Sequence, residues 1–276
     1  MAPRKLKVLG IVQARMGSSR LPGKVLQKIG TYSLIQILLS RLSLSTRIDQ
    51  IVVATTTKRH DKELAMHVRN LGYDCYEGDE LDVLDRFMKS SDVFGADIVV
   101  RITGDCPLIS AELVDEVIGE YLANGSQYAS NINPPTFPDG LDVEVFSIES
   151  LRSAAINAFD PYDREHVTPF IRKHYADQSI NIKNEVDFSD LRWTVDEPND
   201  LQVVRNIFKH FSPDVFFDWK QVLALMSKKA ELFDANRFIK RNEGSNMSNG
   251  QKMWKRAKRS IPGGTMLLSK RPELFL

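Results

Sequence analysis

From Val8 to Ile102, short β-branched apolar runs take turns with stretches of helical period, and few architectures tolerate that order. Val8, Leu9, Ile11 and Val12 form a run bounded by turn formers, the pattern of a strand buried on both faces. In Ser33–Leu44, Leu34, Leu38 and Leu42 recur every fourth residue with Ile35 and Leu39 beside them, predicting a helix that lies on a sheet. Ile51–Ala54 is the next strand. Asp61 opens a helix with Leu64, Val68 and Leu71 inward, and Gly72 closes it. Tyr73–Tyr76, Asp82–Phe94 and Ile98–Ile102 continue as strand, helix and strand. Alternation at these lengths implies right-handed βαβ units, hence an α/β fold: a Rossmann-like, mostly parallel sheet flanked by helices.

Beyond Ser110 a further helix carries Leu113, Val114, Val117, Ile118 and Tyr121 on its inner side, and then the rhythm breaks. Strands are expected at Tyr128–Ile132 and Leu141–Phe146, separated by Asn133–Gly140 with its three prolines, an excursion of the kind that serves function or forms a lid. Helices are expected at Glu149–Ala158 and Asp163–Tyr175, and strands at Ile180–Val186 and Leu191–Val195. Two last helices follow, at Asn199–Phe211 behind Pro198 and at Trp219–Lys229. The polar, Gly- and Ser-containing 236–250 reads as a linker, which leaves residues 1–235 as one domain and 251–276 as a basic tail.

The first strand runs into Ile11–Lys24, IVQARMGSSRLPGK. Loops at the carboxyl ends of such strands bind ligands. This one holds three cations, Arg15, Arg20 and Lys24, two permissive glycines, Gly17 and Gly23, and two serines, Ser18 and Ser19. Glycines admit the backbone amides to an anion, and the cations add fixed charge, so the ligand suggested is a polyphosphate; a solvated basic turn is the alternative. The loop is neither a P-loop nor a dinucleotide turn, since both spacings are absent.

At the exit of the strand Ile98–Ile102 stands Thr103-Gly104-Asp105-Cys106-Pro107. A carboxylate there can hold Mg²⁺, which takes one or two carboxylates plus substrate phosphates; capping the following helix is the alternative for Asp105, and Ser110 is the better cap. Asp196, before Glu197-Pro198, is either a second metal ligand or a helix cap. In Asp163-Arg164-Glu165-His166-Val167-Thr168, Arg164 could grip a substrate carboxylate and His166 donate to it or act as a base, or both could decorate a charged helix face. Arg101, alone in an apolar strand, requires a partner or a ligand.

The string A-R-M-G-S-S-R-L-P-G-K-V-L resembles the signature loop of the sugar-activating cytidylyltransferases, which include the sialic-acid and KDO synthetases and the SpsF-type spore-coat polysaccharide proteins. The resemblance implies the nucleotide-diphospho-sugar transferase (GT-A-like) fold. It also implies that Arg15, Gly17, Ser18, Ser19, Arg20, Lys24 and Thr103 bind CTP or another nucleoside triphosphate, with Arg15, Lys24 and Asp105 catalytic. Gly104-Asp105-Cys106-Pro107-Leu108 is similar to the family's metal-binding G-D-x-P-L turn, and Val195-Asp196-Glu197-Pro198-Asn199-Asp200-Leu201 to its V-D-T-P-E-D-L turn, departing at Glu197 and Asn199. Mg²⁺ on Asp105 and Asp196 is therefore the implied cofactor. The D-R-E-H-V-T run and an S-N…G-L-D-V-E pattern assign Arg164, His166, Asn131, Asp142 and Glu144 to the acceptor sugar, although Asp142 and Glu144 also fit a surface carboxylate pair. The expected reaction activates an acidic or amino-deoxy sugar with CTP and releases pyrophosphate for cell-surface polysaccharide synthesis, and the family admits a homodimer. A nucleotide-sugar glycosyltransferase, or a non-catalytic nucleotide- or sugar-binding module, are the other readings.

With 37 basic and 36 acidic residues the chain lacks the basic excess of a nucleic-acid binder. It has no apolar run of membrane-spanning length, the start MAPRKLKVLG has no signal-peptide core, and two cysteines suit a reducing cytoplasm, so no nucleic acid, no membrane and a cytoplasmic location are expected. Trp254-Lys-Arg-Ala-Lys-Arg-Ser-Ile-Pro-Gly-Gly-Thr265 resembles the opening of class III PLP aminotransferases, implying fusion to such a domain, of which 251–276 would be the truncated start.

Overall fold

The computed structural model describes residues 4–241. β1 (Val8–Gln13) leads through a small ribbon, β2 (Lys28–Ile29) and β3 (Tyr32–Ser33), into α1 (Leu34–Leu42). β4 (Gln50–Thr56), α2 (Asp61–Asn70), β5 (Asp74–Gly78), α3 (Val83–Phe94), β6 (Ile98–Thr103) and α4 (Ala111–Asn124) complete the alternating part. Then come β7 (Tyr128–Ser130), β8 (Glu144–Ser147), α5 (Ile148–Asn157), α6 (Pro161–His166), α7 (Pro169–His174), β9 (Ser179–Asn181), α8 (Pro198–Phe211) and α9 (Trp219–Lys228). Packing gathers the chain as far as Arg237 into one compact unit. The tail at 251–276, and the expected linker from residue 242 onward, lie outside the described residues.

Seven strands form one sheet in the order β5-β4-β1-β6-β8-β7-β9. β1 lies between β4 and β6 and is parallel to both, β4 to β5 and β7 to β9; β8 alone runs antiparallel to its neighbours. The mostly parallel sheet expected from the alternation is thus present. Period-two alternation along β1 sends Val8 and Val12 into one core and Leu9 and Ile11 into the other. The first core takes α1, α4 and α8 through Leu38, Val114 and Val204, the second α3 and α5 through Phe87 and Leu151. Burial on both faces is why these strands read as unbroken apolar runs.

Four expectations are corrected. Residues 163–175 do not make one helix: Val167 sits at φ +70°, a strained region for a β-branched residue, and Pro169 offers no amide to continue the ladder. The strand expected over 180–186 is confined to Ser179–Asn181, the stretch that β7 can pair. Leu191–Val195 is not a strand of the sheet. Its amides and carbonyls bond loops instead: Leu191 C=O accepts from Asp139 N–H (2.8 Å), Trp193 N–H donates to Asp139 C=O (2.7 Å) and Val195 N–H to Asp105 C=O (2.8 Å). Finally, β8 begins only at Glu144, because the Asn131 side chain takes the place of a ladder residue, donating to Leu141 C=O (2.7 Å) and accepting from Val143 N–H (2.9 Å).

Candidate active site

The ends of β1 and β6 lie side by side, Gln13 opposite Thr103, so the two loops that leave them share one edge of the sheet. Gly104 makes the junction possible: its N–H donates to Gln13 C=O at 2.8 Å, and a Cβ there would stand 2.8 Å from the Ala14 methyl. A second close approach brings in the segment at 191–196. Gly140, at φ +110°, packs so tightly on Trp193 and Thr194 that a Cβ would fall 2.7 Å from the Thr194 nitrogen. With Val195 bonded to the Asp105 carbonyl, Asp196 is delivered next to Asp105.

The 16–23 loop folds back on Met16, whose carbonyl accepts from both Ser18 N–H and Gly23 N–H at 2.9 Å. That turn swings Lys24 inward. Its Nζ donates to Asp105 Oδ2 at 2.7 Å and to Asp196 Oδ1 at 2.8 Å, and Arg20 pairs with the other Asp196 oxygen at 2.9 Å. Burial by itself would push the Lys24 ammonium down, but Asp105 and Asp196 outweigh it and hold it above its ordinary value. Burial would likewise raise Asp105; the adjacent Lys24 and a hydrogen bond from Thr103 hold its carboxyl well below the carboxylate range.

Asp196 is not the cap of α8. Glu197 holds that position, and Asp200 accepts from the amides of both Asp196 (3.0 Å) and Glu197 (2.9 Å), which leaves the Asp196 carboxylate to the cations. Behind it lies Arg192, which the sequence reading passed over. This buried guanidinium spans Asp139 (3.1 Å), Asp196 (3.2 Å) and Asp200 (2.9 Å), and Asn236 completes Asp200 at 2.9 Å. Burial opposes its charge, yet the three carboxylates hold Arg192 above its ordinary value. The signal was available: a lone arginine in an apolar stretch, the same mark that singled out Arg101.

The loops enclose a cavity of about 320 Å³. Every residue assigned to the nucleotide or the metal lines it: Arg15, Gly17, Ser18, Ser19, Arg20 and Lys24 from the first loop, Thr103 and Asp105 from the second, and Asp196. Arg15 pairs with neither Asp105 nor Asp196 and reaches Glu80, outside the cavity lining, at 3.8 Å.

None of the five residues assigned to the acceptor lines this cavity. Glu144 is buried between the Arg101 guanidinium and the Tyr128 hydroxyl (2.7 Å), so it is the partner that Arg101 required. Asn131 is spent on the backbone of 141–143. Arg164 binds Asp82, the cap of α3, at 2.6 Å and the carbonyls of Ala155 and Ala158, tying α6 to its neighbours. Asn131 and Glu144 are buried and are used inside the fold, as a buried polar group must be, which corrects them to structural roles; Arg164, only partly buried, is engaged by Asp82 and the two carbonyls. His166 packs against the Tyr162 ring at 4.4 Å. Asp142 precedes β8 and does not share a strand face with Glu144; its charge bears on the Cys106 thiol, which burial first, and Asp105 and Asp142 next, push well up.

A family model described as cytidylyltransferase matches residues 9–218. An uncharacterized protein of Methanocaldococcus jannaschii is 37% identical over 238 residues, covering 84% of this chain and 95% of that protein. The spore coat polysaccharide biosynthesis protein SpsF of Bacillus subtilis is 34% identical over 218 residues, covering 75% of this chain and 90% of SpsF. The structure of a cytidylyltransferase from Leptospira borgpetersenii superposes with a TM-score of 0.80 at 28% identity, over 83% of this chain and 97% of that one.

Proposed function

Since this chain belongs to the cytidylyltransferase family, we propose that it activates an acidic or amino-deoxy sugar with CTP, releasing pyrophosphate, for a cell-surface polysaccharide made from the cytoplasm. The observation that carries the reading is one ammonium, Lys24 Nζ, shared by two carboxylates 91 residues apart in sequence while Arg20 flanks them. Cations and carboxylates thus interleave in one phosphate-sized hollow.

The sugar hydroxyl oxygen attacks the α-phosphorus of CTP and gives up its proton to solvent. As the new O–P bond forms, the bond from α-phosphorus to the bridging oxygen breaks, and its electron pair leaves with pyrophosphate. The loop amides and Arg20 hold the phosphates in line, which is where most of the rate comes from in such transfers. Lys24 exchanges its carboxylates for phosphate oxygens and stabilises the charge that grows on the leaving group. Arg15, also in the cavity lining, adds a further cation for the phosphates.

Asp105 and Asp196 fit a divalent cation: they already converge on one cationic nitrogen. Two carboxylates with the remaining positions left to phosphate and water are the donor set of Mg²⁺ rather than of an all-protein cage. Mg²⁺ bound there supplies neutralisation of the phosphate oxygens. On the acceptor side, Asp142 and His166 remain as contacts to the sugar.

The test supplies each of the four nucleoside triphosphates with candidate acidic and amino-deoxy sugars and Mg²⁺, and measures pyrophosphate. Release with CTP and a sugar together is expected. Binding of CTP with no pyrophosphate from any sugar would refute the reading.

A further inference from the structure

Below the phosphate loop lies a carboxylate that the reaction above does not use. Asp61, the first residue of α2, is fully buried. Its Oδ1 accepts the Met16 N–H at 2.6 Å, and its Oδ2 accepts the buried Thr56 hydroxyl from the end of β4. Thr56 Oγ1 in turn accepts from Lys58 N–H at 3.2 Å. A carboxylate taken out of water is costly unless its charge is compensated. Among the described residues no lysine or arginine forms an ion pair with it; the nearest basic atom is His60 Nε2 at 3.6 Å. Its charge therefore rests on a backbone amide, a hydroxyl and the N-terminus of α2, with the buried Arg86 guanidinium acting on it from beyond ion-pair distance.

The residue it holds is the hub of the loop. Met16 is bonded on both sides: its N–H is held by Asp61, and its C=O, in the next peptide unit, accepts from Ser18 N–H and Gly23 N–H and closes the turn. Arg15 lies one residue before this hub and Gly17 one after, and the Gly23 end of the turn sets Lys24. A neutral loop anchor would need no buried charge. A carboxylate fixes the hub with charge-assisted bonds to two elements at once, β4 and the β1 exit.

We propose that Asp61 is a positioning residue for nucleotide binding: through Met16 it holds Arg15 and Lys24 in the lining of one cavity, in the geometry that takes a triphosphate. The assignment rests on the nucleotide reading given above. Because a displacement of about 1 Å in such a site costs on the order of 10²-fold in rate, loss of the anchor acts on ligand affinity well before it unfolds the domain.

The experiment compares the full chain with Asp61→Ala and Asp61→Asn. CTP binding is measured by calorimetry, amide hydrogen exchange across 14–24 without nucleotide, and thermal melting on each. Asp61→Ala is expected to weaken CTP binding roughly 10- to 100-fold and to speed exchange across 14–24 while α1 and β6 stay protected. Asp61→Asn keeps an oxygen for the Met16 N–H but loses the charge, and should fall between Asp61→Ala and the unsubstituted chain in both. A melting point lowered equally in the two variants, with unchanged CTP affinity and unchanged loop exchange, would overturn the proposal. If the unsubstituted chain binds no CTP, the nucleotide reading fails, while the exchange comparison still decides whether Asp61 holds the loop.

Discussion

Lys24 stands where a metal ion is proposed to go, and this makes its removal informative. In Lys24→Met the two bonds at 2.7 and 2.8 Å disappear and the carboxylates of Asp105 and Asp196 face each other without the ammonium. Hydrogen bonds to charged groups contribute about 1.5–3 kcal/mol each, so a metal entering the free wild-type site forgoes roughly 3–6 kcal/mol by displacing Lys24. At 1.4 kcal/mol per factor of ten, that suppresses metal affinity by about 10²–10⁴. The carboxylate side chains are 21% and 22% exposed, which places the effect at the lower end. Titration with Mn²⁺, followed by the paramagnetic resonance of the free ion and without nucleotide, should therefore show Lys24→Met binding about 10²-fold tighter than wild type. Arg20→Met removes a charge shared by Asp196 and Glu197 that does not touch Asp105, and should gain far less. Equal Mn²⁺ affinity in wild type and Lys24→Met, or equal gains from both substitutions, would refute the idea that lysine and metal compete for the same oxygens.

Asp105→Asn should lose on the order of 10²–10³ in the rate of pyrophosphate release while keeping its circular dichroism; near-normal turnover would remove Asp105 from the chemistry. Glu144→Gln leaves the largely enclosed Arg101 guanidinium without its anion, so denaturant unfolding should show a loss towards the lower end of about 3–5 kcal/mol, with CTP affinity unchanged in the folded protein. Normal stability with impaired sugar use would restore Glu144 to the acceptor site. The Lys24–Asp105 contact also sets a pH window. Asp105 is depressed when folded, so its contribution is present above the unfolded carboxylate pKa of about 3.9 and fades as pH falls through the lower folded value. Lys24 is raised, so its contribution is complete below about pH 10.4 and fades as pH rises through the folded value. The difference in melting temperature between wild type and Lys24→Met should stay flat between those limits and narrow outside them; a difference that shrinks already at pH 6 would count against the pairing.

Local pattern was enough for the alternating half of the fold. β1, β4 and β6 are buried on both faces, and α1, α3 and α4 carry their apolar stripes and caps within a few residues, so composition and period specify them. The Arg15–Lys24 loop was legible for the same reason: its glycines and cations are contiguous. What the tertiary structure alone decided are relations between residues distant in sequence. Lys24 meets Asp105 across 81 residues and Asp196 across 172, because Gly104 and Gly140 let three loops close on one another. Arg101 announced a missing partner but not which of many carboxylates, and only the register of β6 against β8 names Glu144. Leu191–Val195 has the composition of a strand and becomes a strut, since its backbone groups find Asp139 and Asp105 rather than a neighbouring strand. Periodicity reports which side of a segment seeks burial; the partner it is buried against, and whether a charge ends in a site or in the frame around it, depends on long-range closure that no local window contains.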